Sequence, residues 1–515
     1  MLLHDYLIQS AARFPNKTAL VCSHSTYTYA QVDRAARGFA AYLLDHGLSK
    51  GDRVALYLEN TPEAVMAMFG TLFAGGCCVP LDAEVPLSKV RFLLEHSGAK
   101  FLVAPGSKIL SLRDATAGMA SPPGFVWVGA GEDLGTTFHA ISKGTGPERF
   151  PGVIDLDLSF IIYTSGSTGK PKGVTHTHRS VDCVVNSVAA YLTSTPDDVV
   201  LCVLPVHLSY GLLQVFGTFF AGGTLVLERG HATPHDIVRL IQEYGVTGFA
   251  GTPTIWALML TAASGGESQK AGVSDLLGRG ALKSVRYVTN ASDALPVSFV
   301  PKLRHLLPGA KIYLMHGQTE CLRTSYLPPE EMRSRPGSVG SGMDIVQLWL
   351  EDEDGRHVQA GGVGELVVRG SNLMLGYWND PEATSKVLLP GPYPGERVLH
   401  TGDLFRMDAE GYFYFVSRKD EIIKSRGQKV SPVEVESILY QLDEVAECRV
   451  LGAADEVLGQ AVRAEVVIRP GKDFDEKRLR GHCALHLEPY KIPTVFVMVP
   501  EIPKTAAGKI RRESI

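Results

Sequence analysis

The sequence predicts an α/β protein of more than one domain, on three observations. Short β-branched runs alternate with amphipathic helical stretches over the first two-thirds of the chain, the pattern of parallel sheets covered by helices. After about Gly340 the texture changes to strands joined by turns, as in Gln347–Gly370 and Gly411–Arg418, which reads as antiparallel. The 515 residues also exceed what one compact core holds, so two or three domains are expected.

The elements follow in order. Met1–Lys17 reads as a short amphipathic helix and lacks the basic, apolar, small-residue order of a signal peptide. Strands are expected at Arg53–Asn60, Gly76–Asp82, Ala99–Pro105, Leu158–Gly166, Val199–Pro205, Gly223–Gly230, Val246–Pro253, Ser284–Asn290 and Ala310–Gly317. Thr61–Ala74 and Pro234–Gly245 read as helices. The uncharged stretches Ala64–Leu81 and Val199–Leu227 are broken by Gly75, Gly76, Pro80, Pro205, Gly211 and Gly222. They therefore read as helix and buried strand in succession, since a membrane span needs about 20 unbroken apolar residues. From Ser417–Glu421 onward lies a compact unit with strands and helices of its own. The expected division is residues 1–417, a hinge at 418–421, and a small C-terminal unit at 422–515.

Composition excludes several classes. With 45% hydrophobic and 20% charged residues and a net charge of -5, nothing marks a nucleic-acid groove or a polybasic membrane patch. Eight cysteines, none in a CxxC pair and most in apolar runs, read as reduced buried thiols of a cytoplasmic protein. His176 and His178 in "THTH" read as structural. No HExxH, Cys/His cluster or Gx[ST]xG elbow is present.

The strongest chemical signal is "YTSGSTGKPKGV", Tyr163–Val174, after the apolar strand "SFII". Small residues let backbone N–H groups and hydroxyls wrap a phosphate chain. The candidates are Thr164, Ser165, Gly166, Ser167, Thr168 and Gly169, with Lys172 adding charge. It is not a GxxxxGK[ST] loop, because no Ser or Thr follows the lysine.

This string resembles the phosphate-binding signature of the adenylate-forming superfamily, which includes acyl-CoA synthetases, peptide-synthetase adenylation domains and luciferases. Four further stretches match in order: "HGQTE" (His316–Glu320), "TGDLF" (Thr401–Phe405), Ser417–Glu436 and "PKTAAGKIRR" (Pro503–Arg512). The resemblance spans essentially the whole chain. It implies a large N-terminal domain of helix-covered parallel sheets with a distorted antiparallel β-barrel, and a small mobile α+β C-terminal domain. It implies a ligase that joins a carboxylic acid to AMP and passes the acyl group to a thiol. The expected cofactors are ATP, Mg²⁺ and CoA, or a carrier protein's phosphopantetheine in place of CoA.

The roles carried over are these. Glu320, beside Thr319, and Thr164 would hold Mg²⁺, a hard cation that suits oxygen ligands. Asp403 would bind the ribose, and Arg418 the ribose and phosphates. Asn290, Ala291 and Ser292 would border adenine, as would His316, Gly317 and Gln318. His316 departs from the tyrosine that relatives often carry there. Lys509 would swing onto the α-phosphate during adenylation. After rotation about Asp420, Lys424 and Gly427 would come to the site for thiol attack. Thr252 would line the acyl pocket together with His207, Ser209, Tyr210 and Gly211. The absence of an Asp in "LPVHLSYG" disfavours α-amino acids and resembles acyl- and aryl-CoA ligases. A homodimer is possible.

Overall fold

The computed structural model describes residues 1–512 apart from 130–134, 145, 147–149, 166–170, 231, 264–279, 426–427, 456–458 and 506–509, and of Ser165 only the backbone. Three sheets organise these residues, of seven, fourteen and five strands.

The seven-stranded sheet has a parallel centre, in which Arg53–Tyr57 lies between Cys77–Leu81 and Ala99–Pro105. Leu158–Ser165 joins it in parallel and then turns back as the antiparallel strand Pro171–Thr177. The fourteen-stranded sheet starts parallel, running from Thr18–Cys22 through Thr224–Leu227, Val199–Cys202, Gly248–Gly251 and Tyr287–Asn290 to Lys311–His316. It then continues antiparallel through Ser325–Leu327 and Ser338–Gly342 to Phe413–Arg418, Arg397–Met407, Val363–Gly370 and Val346–Glu351. Three register breaks distort this antiparallel part, at Ser338/Gly340, Glu365/Val367 and Leu404/Phe405. The antiparallel layer is thus hydrogen-bonded directly onto the edge of the parallel one.

Between the two large sheets lie Tyr29–Asp45, Pro62–Phe73, His178–Leu192 and Ser209–Ala221, whose side chains share one core with strand residues such as Val54, Leu56 and Leu225. Pro62–Phe73 is buried along nearly its whole length, which is why it reads as uniformly apolar. Among the described residues no helix is long and apolar enough to cross a membrane.

From Ile423 on, the chain builds its own five-stranded sheet. The long hairpin of Val445–Asp455 and Gly459–Ile468 centres it, and Pro432–Leu439 and Glu476–His486 pack on it. Its core is separate, with Val435, Leu439, Val450, Val466 and Phe496 buried together.

Candidate active site

The site gathers at the C-terminal ends of the parallel strands, where open α/β sheets bind ligands. Tyr287–Asn290 delivers Asn290, and Lys311–His316 delivers His316 and the turn behind it. Asn290 is buried. Its Nδ2 donates to the Asp293 carbonyl at 3.2 Å, while its Oδ1 has no partner. Ala291 is buried, and Ser292 has a φ of 85°, which turns the chain sharply away from the strand.

The turn after His316 doubles back: the Thr324 N–H donates to the His316 carbonyl at 3.0 Å. Gly317 is required there, because a Cβ would stand 2.1 Å from the Leu322 carbonyl oxygen. Buried Asn372 clamps the same turn, its Nδ2 donating to the carbonyls of Cys321 and Arg323 at 2.8 and 2.9 Å.

Asp403 is the focus of the first cluster. It sits on Arg397–Met407, in register with Arg418 on the neighbouring strand, and is 4% exposed. Its Oδ2 accepts from His316 Nε2 at 3.0 Å and from Gln318 Nε2 at 2.7 Å. Arg418 lies 3.6 Å from Oδ1, which has no hydrogen-bond partner. Burial pushes the Asp403 carboxyl up, but the His316 hydrogen bond and charge, Arg418 and Gln318 together hold it below the usual carboxylate range. The result is an anion with one oxygen saturated and one free to accept.

His316 has both ring nitrogens committed, since Nδ1 contacts the Thr324 hydroxyl at 2.8 Å. Its ring meets Phe405 edge-on. It positions Asp403, a role that a tyrosine ring stacked on a base would not fill.

The second cluster surrounds Glu320. Its Oε1 accepts from the Tyr377 hydroxyl at 2.8 Å. Tyr377 stands on a two-residue strand paired with Val174, and Lys172 Nζ lies 4.9 Å from its ring centroid. Lys172 is paired across the hairpin with Thr164. Thr164, Lys172 and Glu320 are thus brought to one place. The Thr319 carbonyl is held by His176 Nε2 at 2.7 Å, and burial keeps that imidazole neutral down to about 4. His178 Nδ1 accepts from the Leu3 N–H at 3.1 Å. Both histidines are structural.

A lone carboxylate and a hydroxyl suit Mg²⁺, which keeps waters and is completed by substrate phosphates rather than by an all-protein cage. Among the described residues no group of three or more His, Cys, Asp or Glu could hold a metal by itself.

Tyr210 lines a narrow cavity with Leu213, Thr289, Met315 and Arg323, and its hydroxyl bonds Thr289 Oγ1 at 2.7 Å. Ser209 begins its helix. Gly211 allows that helix to touch the chain before it, because a Cβ would meet the Pro205 carbonyl oxygen at 2.2 Å. His207 and Thr252 do not line this cavity. His207 feels the charges of Asp82 and Glu84, and the buried Thr252 carbonyl accepts the Trp256 N–H. Arg418 Nε donates to Asp420 at 3.3 Å. Lys424 is exposed, its N–H donating to Gln460. Gly166, Ser167, Thr168, Gly169, Gly427 and Lys509 lie outside the described residues.

Sequence reasoning missed Tyr377, Thr324 and Arg323. Tyr377 carries no local signal. Arg323 did carry one, as the lone charge in the run "CLRTSYL".

The AMP-binding enzyme description matches residues 7–378, and the AMP-binding enzyme C-terminal domain matches 434–509. The chain belongs to the AMP-binding enzyme family. It is therefore an AMP-forming enzyme of the acid–thiol ligase type, as the five motifs implied. It is 29% identical to a long-chain-fatty-acid–CoA ligase of Bacillus subtilis over 100% of this chain and 94% of that one. It is 28% identical to tyrocidine synthase 3 of Brevibacillus parabrevis over 100% of this chain but 8% of that protein. Among solved structures, the anthranilate CoA ligase AuaEII with anthranoyl-AMP superposes with a TM-score of 0.88 at 26% identity, covering 99% of this chain and 95% of the other.

Proposed function

We propose that this enzyme activates a carboxylic acid with ATP and transfers the acyl group to CoA. The acid's carboxylate oxygen attacks the α-phosphorus and pyrophosphate leaves. A thiol sulfur then attacks the acyl carbon of the resulting acyl-AMP and AMP leaves.

The observation that carries the reading is the half-saturated Asp403. Its Oδ2 is fixed by His316 and Gln318, and its Oδ1 is left to accept from the vicinal hydroxyls of a ribose. Arg418 beside it offers positive charge to phosphate oxygens. Asn290 Oδ1, buried and without a partner among the described residues, would accept from an exocyclic amine of a base. Lys172 offers charge to the phosphate chain, and Thr164 and Glu320 would hold the magnesium. The ion, when bound, neutralises developing phosphate charge.

We assign residues 418–421 as the hinge and 422–515 as the unit that moves. Arg512, at the end of the last motif, is anchored to Glu436 at 2.7 Å and Glu421 at 3.3 Å. It would tether the segment bearing Lys509 close to the hinge. Lys509→Ala is expected to abolish pyrophosphate release yet leave thiol transfer from supplied acyl-AMP largely intact. Equal loss of both half-reactions would sink the two-conformation reading. We place the enzyme in the cytoplasm, in keeping with eight free cysteines.

The match to tyrocidine synthase 3 supports a second reading, in which a carrier-protein phosphopantetheine replaces CoA. The deciding experiment is pyrophosphate release with Mg-ATP over fatty, aryl, hydroxy and amino acids, each with and without CoA. Acid-dependent release with an acyl-CoA product supports the first reading. Acyl-AMP that CoA cannot discharge supports the second.

A further inference from the structure

The cavity beneath Tyr210 holds a charge that the fold does not answer. Arg323 is 3% exposed, yet among the described residues no carboxylate lies within ion-pair distance of it and no hydrogen bond engages its guanidinium. Its Nε is fully buried and unpartnered. Among the described residues it meets the face of Tyr210, 5.0 Å from the ring centroid, which offsets only part of the cost of burying a cation.

The rest of the lining offers no counter-ion. Val185, Val188, Leu213 and Met315 are apolar. Asp198 reaches the same cavity but is committed to Arg286 by hydrogen bonds of 2.8 and 2.6 Å. Unpaired buried charges are strongly destabilising, so a guanidinium kept in this state points to an anion that arrives with a ligand.

The place of the cavity says which ligand. Thr289 and Met315 line it, and the next residues along their strands are Asn290 and His316, which belong to the nucleotide cluster. An acid placed in this space would have one end near that cluster. Building on the acid-activating reading above, we propose that the preferred substrate is a dicarboxylic acid. One carboxylate meets the nucleotide, the apolar spine lies along the Ser209–Ala221 helix, and the second carboxylate pairs with Arg323 under Tyr210. Gly217 on that helix faces open space, since a Cβ there would have nothing within 4 Å.

The test uses the full chain with Mg-ATP and matched trios: a linear diacid, its monomethyl ester, and the monocarboxylic acid of the same length, over graded lengths. Pyrophosphate release gives kcat/KM for each. At one length or more the diacid is expected to exceed both partners by about tenfold or more, because an unpaired guanidinium penalises ligands that lack the anion. Arg323→Met should erase that preference without changing KM for ATP, and Arg323→Lys should keep part of it. Equal use of diacid and monoacid by the unaltered enzyme overturns the assignment and leaves acid activation standing. An Arg323→Met variant that slows all acids alike also overturns it. Release with no acid at all, across aryl, fatty and hydroxy acids too, overturns both readings. The trio comparison on the unaltered enzyme decides the matter even where Arg323→Met fails to fold.

Discussion

Two buried charges, one in the Asp403 cluster and one in the cavity beneath Tyr210, are treated in opposite ways. Asp403 is surrounded by donors from His316 and Gln318, with Arg418 alongside. Among the described residues Arg323 has the face of Tyr210 and no carboxylate, and its Nε has no partner. The first charge is stabilised by the fold itself, so the proposed nucleotide end would be pre-organised before any ligand arrives. The second would be stabilised only when a ligand supplies its counter-charge, which is why we propose that selectivity sits at the acid end.

The largest expected effect comes from cancelling the Asp403 charge. Asp403→Asn should lower kcat/KM for ATP in pyrophosphate release by about 100-fold or more, since both the carboxylate and its ordered donors are lost. An unchanged KM for ATP would remove Asp403 from the nucleotide site and collapse the contrast. Next comes His316→Phe, which keeps a ring against Phe405 but deletes the hydrogen bonds to Asp403 and Thr324. About a tenfold rise in KM for ATP is expected, from the worth of roughly one such bond. Tighter ATP binding would show instead that His316 competes with the base.

The smallest effect concerns the scaffold. Burial keeps His176 neutral down to about 4 in the folded chain, against the ordinary 6.5 of an exposed imidazole in the unfolded chain. Between those values the unfolded chain binds more protons, so stability falls as the pH falls. At about pH 5.5 this costs on the order of 1 kcal/mol, and His178, held down to about 3, adds to it. Urea midpoints at about pH 7.5 and 5.5 should show a smaller difference in His176→Gln than in the unaltered chain. An identical difference would mean that His176 titrates normally.

The candidate site was legible in the sequence wherever its chemistry is local. Thr164 and Lys172 lie in one hairpin, and His316–Glu320 form one turn, so a short string suffices to propose them. Asp403 and Arg418 were legible as motifs, but their adjacency comes from an antiparallel register across two strands. Tyr377 reaches Glu320 only because its short strand pairs with Val174. That His316 stands where relatives often carry tyrosine was legible, but its hydrogen bond to Asp403 was not, since it depends on where the Asp403 oxygen stands.

What the sequence determined by itself is the alternation of strand and helix, the Gly/Ser-rich string Tyr163–Val174 and the ordered motifs that mark the family. These are properties of contiguous residues: side-chain period, backbone permissiveness at glycine, and charge within a turn. What only the tertiary structure decided is which charges meet a partner. In the chain Arg323 is marked only as the lone charge of the run "CLRTSYL", one cation among fifty Lys and Arg residues. Packing decides that it leaves water with no carboxylate of the described residues beside it, because the cost of a charge is set by its surroundings in space rather than its neighbours in sequence.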